Sequence, residues 1–199
     1  MTKTTPPNQK HCSSKHAAAI LGVTTRTIQS WPESGILDPW KTPGGHRRFN
    51  LEDVEGLRAN LTKEVGDVES ESSIRILIIE DDSDLLRLYE MAIEGWDYPV
   101  TLELATDGFQ GLIKMGAWKP NIVITDLQMP NINGIEMLES ISETKLFKSM
   151  NIIVVTGLSK MEVKQQGGLP EGVILFTKPI PFEDIKEIVD QQCKTILVR

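Results

Sequence analysis

Cysteine is nearly absent from this 199-residue chain: Cys12 and Cys193 stand near opposite ends. That excludes a disulfide framework and any zinc site built on closely spaced cysteines. No apolar run approaches the roughly 20 residues that a bilayer-spanning helix needs. The opening Met1-Thr-Lys-Thr-Thr-Pro-Pro-Asn8 also lacks the apolar core of a secretory signal. A cytoplasmic protein with no membrane partner is the expectation. There is no internal repeat either, so a solenoid array is excluded. What remains is an ordinary globular composition, 40% hydrophobic and 25% charged, in a chain long enough for one large domain or two small ones.

The net charge of -7 hides a split. Residues 1–63 carry nine Lys and Arg against five Asp and Glu, a net +4, together with all three histidines, His11, His16 and His46. Residues 64–199 carry twelve against 23, a net -11. Two modules with different partners are expected from such an asymmetry. The sign changes within a polar, acidic stretch over 63–73 that has almost nothing to bury and reads as a linker. The division expected is a flexible tail over 1–11, a basic module over 12–62, the linker, and an acidic module over 74–199.

In the basic module, Ser13-Ser14 can cap a short helix over 15–21, and Gly22 stops it. Thr24 or Thr25 can cap a second helix reaching Trp31, with Ile28 and Trp31 on one face to meet Ala17, Ile20 and Leu21. Pro32 is expected to end that helix. Two short helices joined at a glycine form a helix-turn-helix. A small hairpin follows, with one arm over 36–41, a Pro-Gly-Gly turn, and a return arm at 46–49. Lys41, His46, Arg47 and Arg48 crowd its tip. Asn50 then caps a third helix, where Leu51, Val54, Leu57 and Leu61 keep helical spacing. Wing arginines can neutralise phosphates, and Arg26 and Gln29 carry donors that base edges require; the plainer reading is a solvated charge cluster. Trp31 and Trp40 read as core, and His46 lacks a second ligand at metal spacing.

Leu21-Gly-Val23, Arg26-Thr-Ile28, Trp31 and Thr42-Pro-Gly-Gly-His-Arg-Arg-Phe49 resemble the MerR/excisionase-like winged helix-turn-helix family over about residues 12–61. The resemblance implies double-stranded DNA as partner. Thr25, Arg26 and Gln29 would enter the major groove, while Lys41, His46, Arg47 and Arg48 on the wing contact the backbone or minor groove. The chain departs from the pattern at His16, where the family often has an acidic residue, and at Pro32. The third helix also stops near Leu61, where MerR-type regulators continue into a dimerisation helix.

The acidic module alternates strand and helix. Strands are expected over 75–80, 100–105, 121–126, 152–156 and 173–177, and helices over 84–95, 108–115, 134–144, 159–166 and 182–195. Five such units predict an α/β, flavodoxin-like parallel sheet covered by helices on both faces. Glu80-Asp81-Asp82, Asp126, Thr156-Gly157 and Lys178-Pro179 all fall at carboxyl ends of strands, the rim where such sheets bind ligands. Taken alone, Asp126 would read as a turn cap. Close carboxylates raise one another's pKa unless a cation joins them, and an all-oxygen set favours Mg²⁺ shared with a phosphate. Lys178 and Thr156 suit phosphoryl oxygens, and Asp82 and Asp84 read as helix caps.

The ordered set of Glu80-Asp81, Asp126, Met129-Pro130, Gly134, Thr156-Gly157 and Lys178-Pro179 resembles the receiver domain of two-component response regulators over about residues 74–196. The resemblance implies that Asp126 accepts a phosphoryl group from a histidine kinase or phosphotransfer protein. Glu80, Asp81, Asp126 and the backbone carbonyl of Gln128 would hold Mg²⁺. Thr156 and Lys178 would bind phosphoryl oxygens, and the Lys178–Pro179 peptide would be cis. Leu175 stands where the family has its switch aromatic; Phe176, one place later, should face the other side of the sheet. The function expected is a phosphorylation-regulated DNA-binding regulator, not an enzyme beyond slow self-dephosphorylation, forming a homodimer through the receiver. The alternative is an adaptor that uses the helix-turn-helix for protein docking.

Overall fold

The computed structural model describes residues 10–31, 37–42, 44–63, 73–130, 133–142, 144 and 147–197. The tail over 1–9, Pro32, Ile36, Pro43, the side chain of Leu61 and residues 64–72 of the expected linker lie outside that description.

The basic module runs β1 (His11–Ser13), α1 (Ser14–Leu21), α2 (Thr25–Ser30), β2 (Trp40–Lys41), β3 (Arg47–Asn50) and α3 (Leu51–Lys63). Each helix starts where a side chain replaces a missing backbone partner. Ser13 accepts from the His16 N–H, Thr24 from that of Thr27, and Asn50 from that of Glu52, at 3.2, 3.2 and 3.1 Å. Gly22 ends α1 at φ 72°, a left-handed cap. The expected hairpin forms, with Trp40 opposite Arg48 and Lys41 opposite Arg47. Its turn is closed by the Thr42 N–H donating to the His46 carbonyl and that of Gly45 to the Thr42 carbonyl, at 2.9 and 2.8 Å. One strand was not expected: β1 pairs antiparallel with β3, His11 opposite Asn50, so His11 belongs to the sheet and not to the tail. Trp31 is fully buried. Trp40 is half-buried and donates its indole N–H to His11 Nδ1 at 3.3 Å.

The acidic module alternates as expected: β4 (Ile74–Ile79), α4 (Ser83–Glu94), β5 (Val100–Ala105), α5 (Gly108–Trp118), β6 (Ile122–Thr125), α6 (Gly134–Ser142), β7 (Asn151–Thr156), α7 (Lys160–Gln165), β8 (Ile174–Thr177) and α8 (Phe182–Leu197). The sheet is parallel with order β5-β4-β6-β7-β8, a doubly wound topology whose order reverses between β4 and β6. Period-two alternation splits each strand between two cores. Ile76, Ile78, Ile124 and Val155 face α4 and α8, whereas Leu77, Ile79, Val123 and Val154 face α5, α6 and α7. The Leu175 and Phe176 side chains divide the same way, onto opposite faces.

The modules pack on each other. α1 and α3 lie against α5, and the apolar cluster on that side of the sheet runs unbroken into the basic module. Two glycines allow the approach: a Cβ on Gly116 would stand 2.7 Å from the Leu21 carbonyl oxygen, and one on Gly22 2.8 Å from Gly116 Cα. Trp31 meets Phe109 edge to face at 4.7 Å. The third helix, which the sequence pattern ends near Leu61, reaches Lys63 and is packed against the receiver.

Ile76 is fully buried in β4, the second strand of the sheet. Ile76→Ala is expected to cost about 2–5 kcal/mol. A urea titration should show a lower midpoint with an unchanged slope.

Candidate functional sites: an acidic sheet rim and a cationic wing groove

β4 and β6 are neighbours at the point where strand order reverses, so their ends face one crevice. The Asp126 N–H donates to the Ile79 carbonyl at 3.1 Å, which sets Asp126 beside Glu80. Both carboxylates are buried, with 5% and 2% of their surface exposed. Lys178, carried in just after β8, resolves the repulsion. Its Nζ donates to Glu80 Oε2 at 2.9 Å and to Asp126 Oδ2 at 2.8 Å. The other Asp126 oxygen, Oδ1, accepts from the backbone N–H groups of Leu127 and Gln128. Asp126 therefore caps its own turn, as the plainer reading had it, and also faces the crevice.

Charge and burial compete at this rim. Burial pushes the Glu80 carboxyl above its ordinary range, against the Lys178 hydrogen bond and charge, and the Asp126 charge adds to the rise. Burial pulls the Lys178 ammonium down, but its bonds to Asp126 and Glu80 outweigh that and its pKa is raised. Beneath the site, burial and then the charges of Glu80 and Asp126 hold the Tyr89 phenol neutral well above its usual value.

The remaining predicted residues border the same crevice. Thr156 ends β7 fully buried; its carbonyl accepts from the Lys178 N–H at 2.8 Å, and its hydroxyl from the Leu158 N–H at 3.4 Å. A Cβ on Gly157 would lie 3.2 Å from Gln128 Oε1, so the loops after β6 and β7 touch. Gly134 is required by close approach, since a Cβ there would stand 2.6 Å from the Asp126 carbonyl oxygen. Asp81 and Gln128 are exposed at the rim. Asp82 caps α4, accepting from Asp84 and Leu85 at 2.8 and 3.3 Å, and Asp84 lies in the helix's first turn. The Lys178–Pro179 peptide is cis, as expected.

Among the described residues no three acidic side chains close tightly enough to hold a metal ion by themselves. The donor set nevertheless fits Mg²⁺. Glu80 and Asp126 converge as buried oxygen donors, and Asp81 stands next to Glu80 at the open rim.

The second site lies on the basic module. Lys15, Gln29, His46, Arg47 and Arg48 line a groove of about 590 Å³ between α1, α2 and the wing. Arg26, Gln29, Lys41 and His46 are exposed, while Thr25, Arg47 and Arg48 are half-buried. The structure adds two facts that sequence reasoning missed. Lys15 joins the groove, and its position in the first turn of α1 beside the wing was the available signal. Arg47 donates a guanidinium N–H to the Gln29 carbonyl, which ties the wing to α2.

A doubly wound sheet with an acidic pair and a lysine at its reversal point defines an aspartate-centred receiver. The chain belongs to the response regulator receiver domain family, whose model matches residues 76–190. Residues 12–60 match the MerR HTH family regulatory protein model. Among curated relatives, the chain is 29% identical over 117 residues to the transcriptional regulatory protein TrcR of Mycobacterium tuberculosis, covering 57% of this chain and 43% of that protein. It is 32% identical over 114 residues to the response regulator ArlR of Staphylococcus saprophyticus, covering 56% and 48%. The match thus spans less than half the length of either relative. A CheY-like receiver domain protein from Methanospirillum hungatei superposes with TM-score 0.50 at 27% identity, covering 63% of this chain and 97% of that one. Among the described residues no helix is long and apolar enough to cross a membrane.

Removing the Lys178 charge leaves burial of Glu80 opposed only by its hydrogen bond with the Asp82 backbone. Lys178→Met is therefore expected to move the Glu80 carboxyl titration further upward, read by carboxyl NMR. The sign for stability follows. With the folded pKa above the unfolded one, the folded state binds more protons between the two, and stability falls as pH rises through that window. The variant should widen the window.

Proposed function

We propose that this protein is a DNA-binding response regulator of the cytoplasm in which Asp126 accepts a phosphoryl group and thereby alters binding at the wing groove. The observation that carries the reading is the buried Glu80–Lys178–Asp126 arrangement at the sheet's reversal point, in one body with a cationic helix-turn-helix. The donor would be a histidine kinase or phosphotransfer protein. An Asp126 carboxylate oxygen attacks phosphorus, the donor's phosphorus–nitrogen bond breaks, and its electron pair remains on the imidazole.

The residues take distinct parts. The backbone N–H groups of Leu127 and Gln128 fix the carboxylate. Lys178 would pass from Asp126 to a phosphoryl oxygen, and the Thr156 hydroxyl would donate to another. Glu80, Asp81, Asp126 and the Gln128 carbonyl would hold Mg²⁺, which supplies charge neutralisation when bound. Among the described residues none at the rim stands out as a base to activate water, which supports an acceptor with at most slow self-dephosphorylation over a hydrolase. On the basic module, Thr25, Arg26 and Gln29 would meet base edges, and Lys41, His46 and Arg48 phosphates. Arg47 would serve both to hold the wing on α2 and to add positive charge. The adaptor reading is the weaker one, because a groove lined by Lys15, Arg47 and Arg48 suits a polyanion. Pairing through the receiver would double the phosphate contacts.

Asp126→Asn should abolish phosphoryl uptake from acetyl phosphate while the thermal midpoint is kept; uptake at the wild-type level would overturn the assignment. Arg48→Ala should weaken binding to any duplex alike and reduce the slope of log affinity against log salt by about 1. An unchanged slope would remove Arg48 from the phosphate contacts.

A further inference from the structure

We propose that α5 is the receiver's outlet: a change at the Asp126 site reaches α2 and the wing through the packed contact of α5 with the helix-turn-helix. This rests on the function proposed above and names its route. Four observations carry it, all on one helix or its immediate contacts.

At its inner side α5 touches the residue that precedes Glu80. A Cβ on Gly111 would stand 2.4 Å from Ile79 Cδ1, so Ile79 fills the space a side chain would take and no slack separates β4 from α5. α5 is also pinned to the edge strand β5. The nearly buried Lys114 donates to Glu103 Oε2 at 2.9 Å and to the Leu104 carbonyl at 2.7 Å. The next residue of β5, Ala105, accepts from the Glu80 N–H at 3.0 Å. A shift at Glu80 therefore meets α5 both through Ile79 and through β5.

At its outer side α5 touches the DNA-reading module. Gly116 crosses Gly22 and Leu21 backbone to backbone, and Phe109 packs on Trp31, the residue that ends α2. Arg47 ties the wing to Gln29 on the same helix, so a movement of α2 carries the wing with it. The exposed Arg26 and Gln29 are not covered by this contact, which makes the device a matter of orientation and not of occlusion.

The docked contact also carries a feature that opposes it. Trp31 is fully buried when docked, and its indole N–H meets no acceptor among the described residues. A buried donor without a partner is an uncommon feature that disfavours the docked state. Separation from α5 would return that group to water at the expense of the apolar contact. Two packings of comparable free energy are what a modest signal can bias.

Gly116→Ala is the discriminating change. Alanine suits a helix interior better than glycine, but its Cβ would wedge the modules apart at the Leu21 carbonyl. Phe109→Ala loosens the same contact by truncation and serves where the wedge disturbs folding. The full chain and both variants are titrated by fluorescence anisotropy with a labelled mixed-sequence duplex at low salt, with and without beryllofluoride and Mg²⁺. Loading is read separately by fluorine NMR. Wild type is expected to load and to change its duplex affinity by about 5-fold or more. Both variants should load equally well, with the change reduced towards none. A change of wild-type size in the two loaded variants overturns the α5 outlet and leaves the Asp126 reading intact. Loading of wild type with no change in affinity overturns the outlet as well. Failure of wild type to load overturns the acceptor reading and the outlet with it.

Discussion

Two carboxylates share one buried rim, and the Lys178 ammonium between them is the condition on which the rest of the fold's chemistry depends. Glu80 and Asp126 are brought together by the adjacency of β4 and β6, which the parallel register makes unavoidable. In a poorly solvated crevice their repulsion would be several times what it is in water. A cation must come from somewhere, and the chain delivers it from the far edge of the sheet, on the loop after β8. The bridge is two-sided, so whatever draws Lys178 away leaves both carboxylates in want of charge. In the proposed function, a phosphoryl group would attract the lysine, and a cation held by Glu80 and Asp126 would supply the charge that it leaves behind. An arrangement that is merely tolerated at rest is thereby suited to exchange.

The second constraint is the backbone crossing at Gly22 and Gly116. It lets α1 and α3 approach α5 closely enough to share one apolar core, and so converts a basic and an acidic module into one packed body. Their opposite net charges favour that docking, though only within a Debye length of about 8–10 Å. Under the proposed function the same proximity would carry a cost for DNA binding, because phosphates approaching Lys15 and Arg48 would do so in the field of an acidic neighbour. Orientation of the receiver relative to the groove then matters to affinity even where no receiver residue touches the duplex.

The receiver was largely legible because its strands are short apolar runs, two of which stop on carboxylates, and several of its helices start on caps that the sequence displays. Glu80, Asp126, Thr156 and Lys178 could be aligned by counting strand ends alone. The Lys178–Glu80 bond could not, since it depends on the order in which non-consecutive strands pair. In the basic module Ser13, Thr24 and Asn50 announced their helices, but β1 is only three residues, too short for its alternation to stand out, and its partner lies beyond two helices. The most instructive difference is α5. The sequence reading ends that helix at Met115, just before Gly116, and glycine is a weak helix former. The helix instead continues to Trp118, and Gly116 stands there because another chain segment must pass against it. A glycine that serves tertiary packing has the same one-letter signature as a glycine that breaks a helix.

That ambiguity bears on the outlet of the signal. Leu175 faces the α5–α7 side of the sheet and Phe176 the α4–α8 side, so no aromatic at the end of β8 is shared between Thr156 and the outer surface. α7 is six residues long, with Val163 its one buried side chain, which gives it little packing through which to transmit a displacement. α5 is the opposite case: eleven residues, six of them buried, wedged between Ile79 and the helix-turn-helix. Close-packed elements pass on small shifts because they cannot absorb them. Between α5 and α7, the helix that holds the helix-turn-helix is also the more heavily packed one.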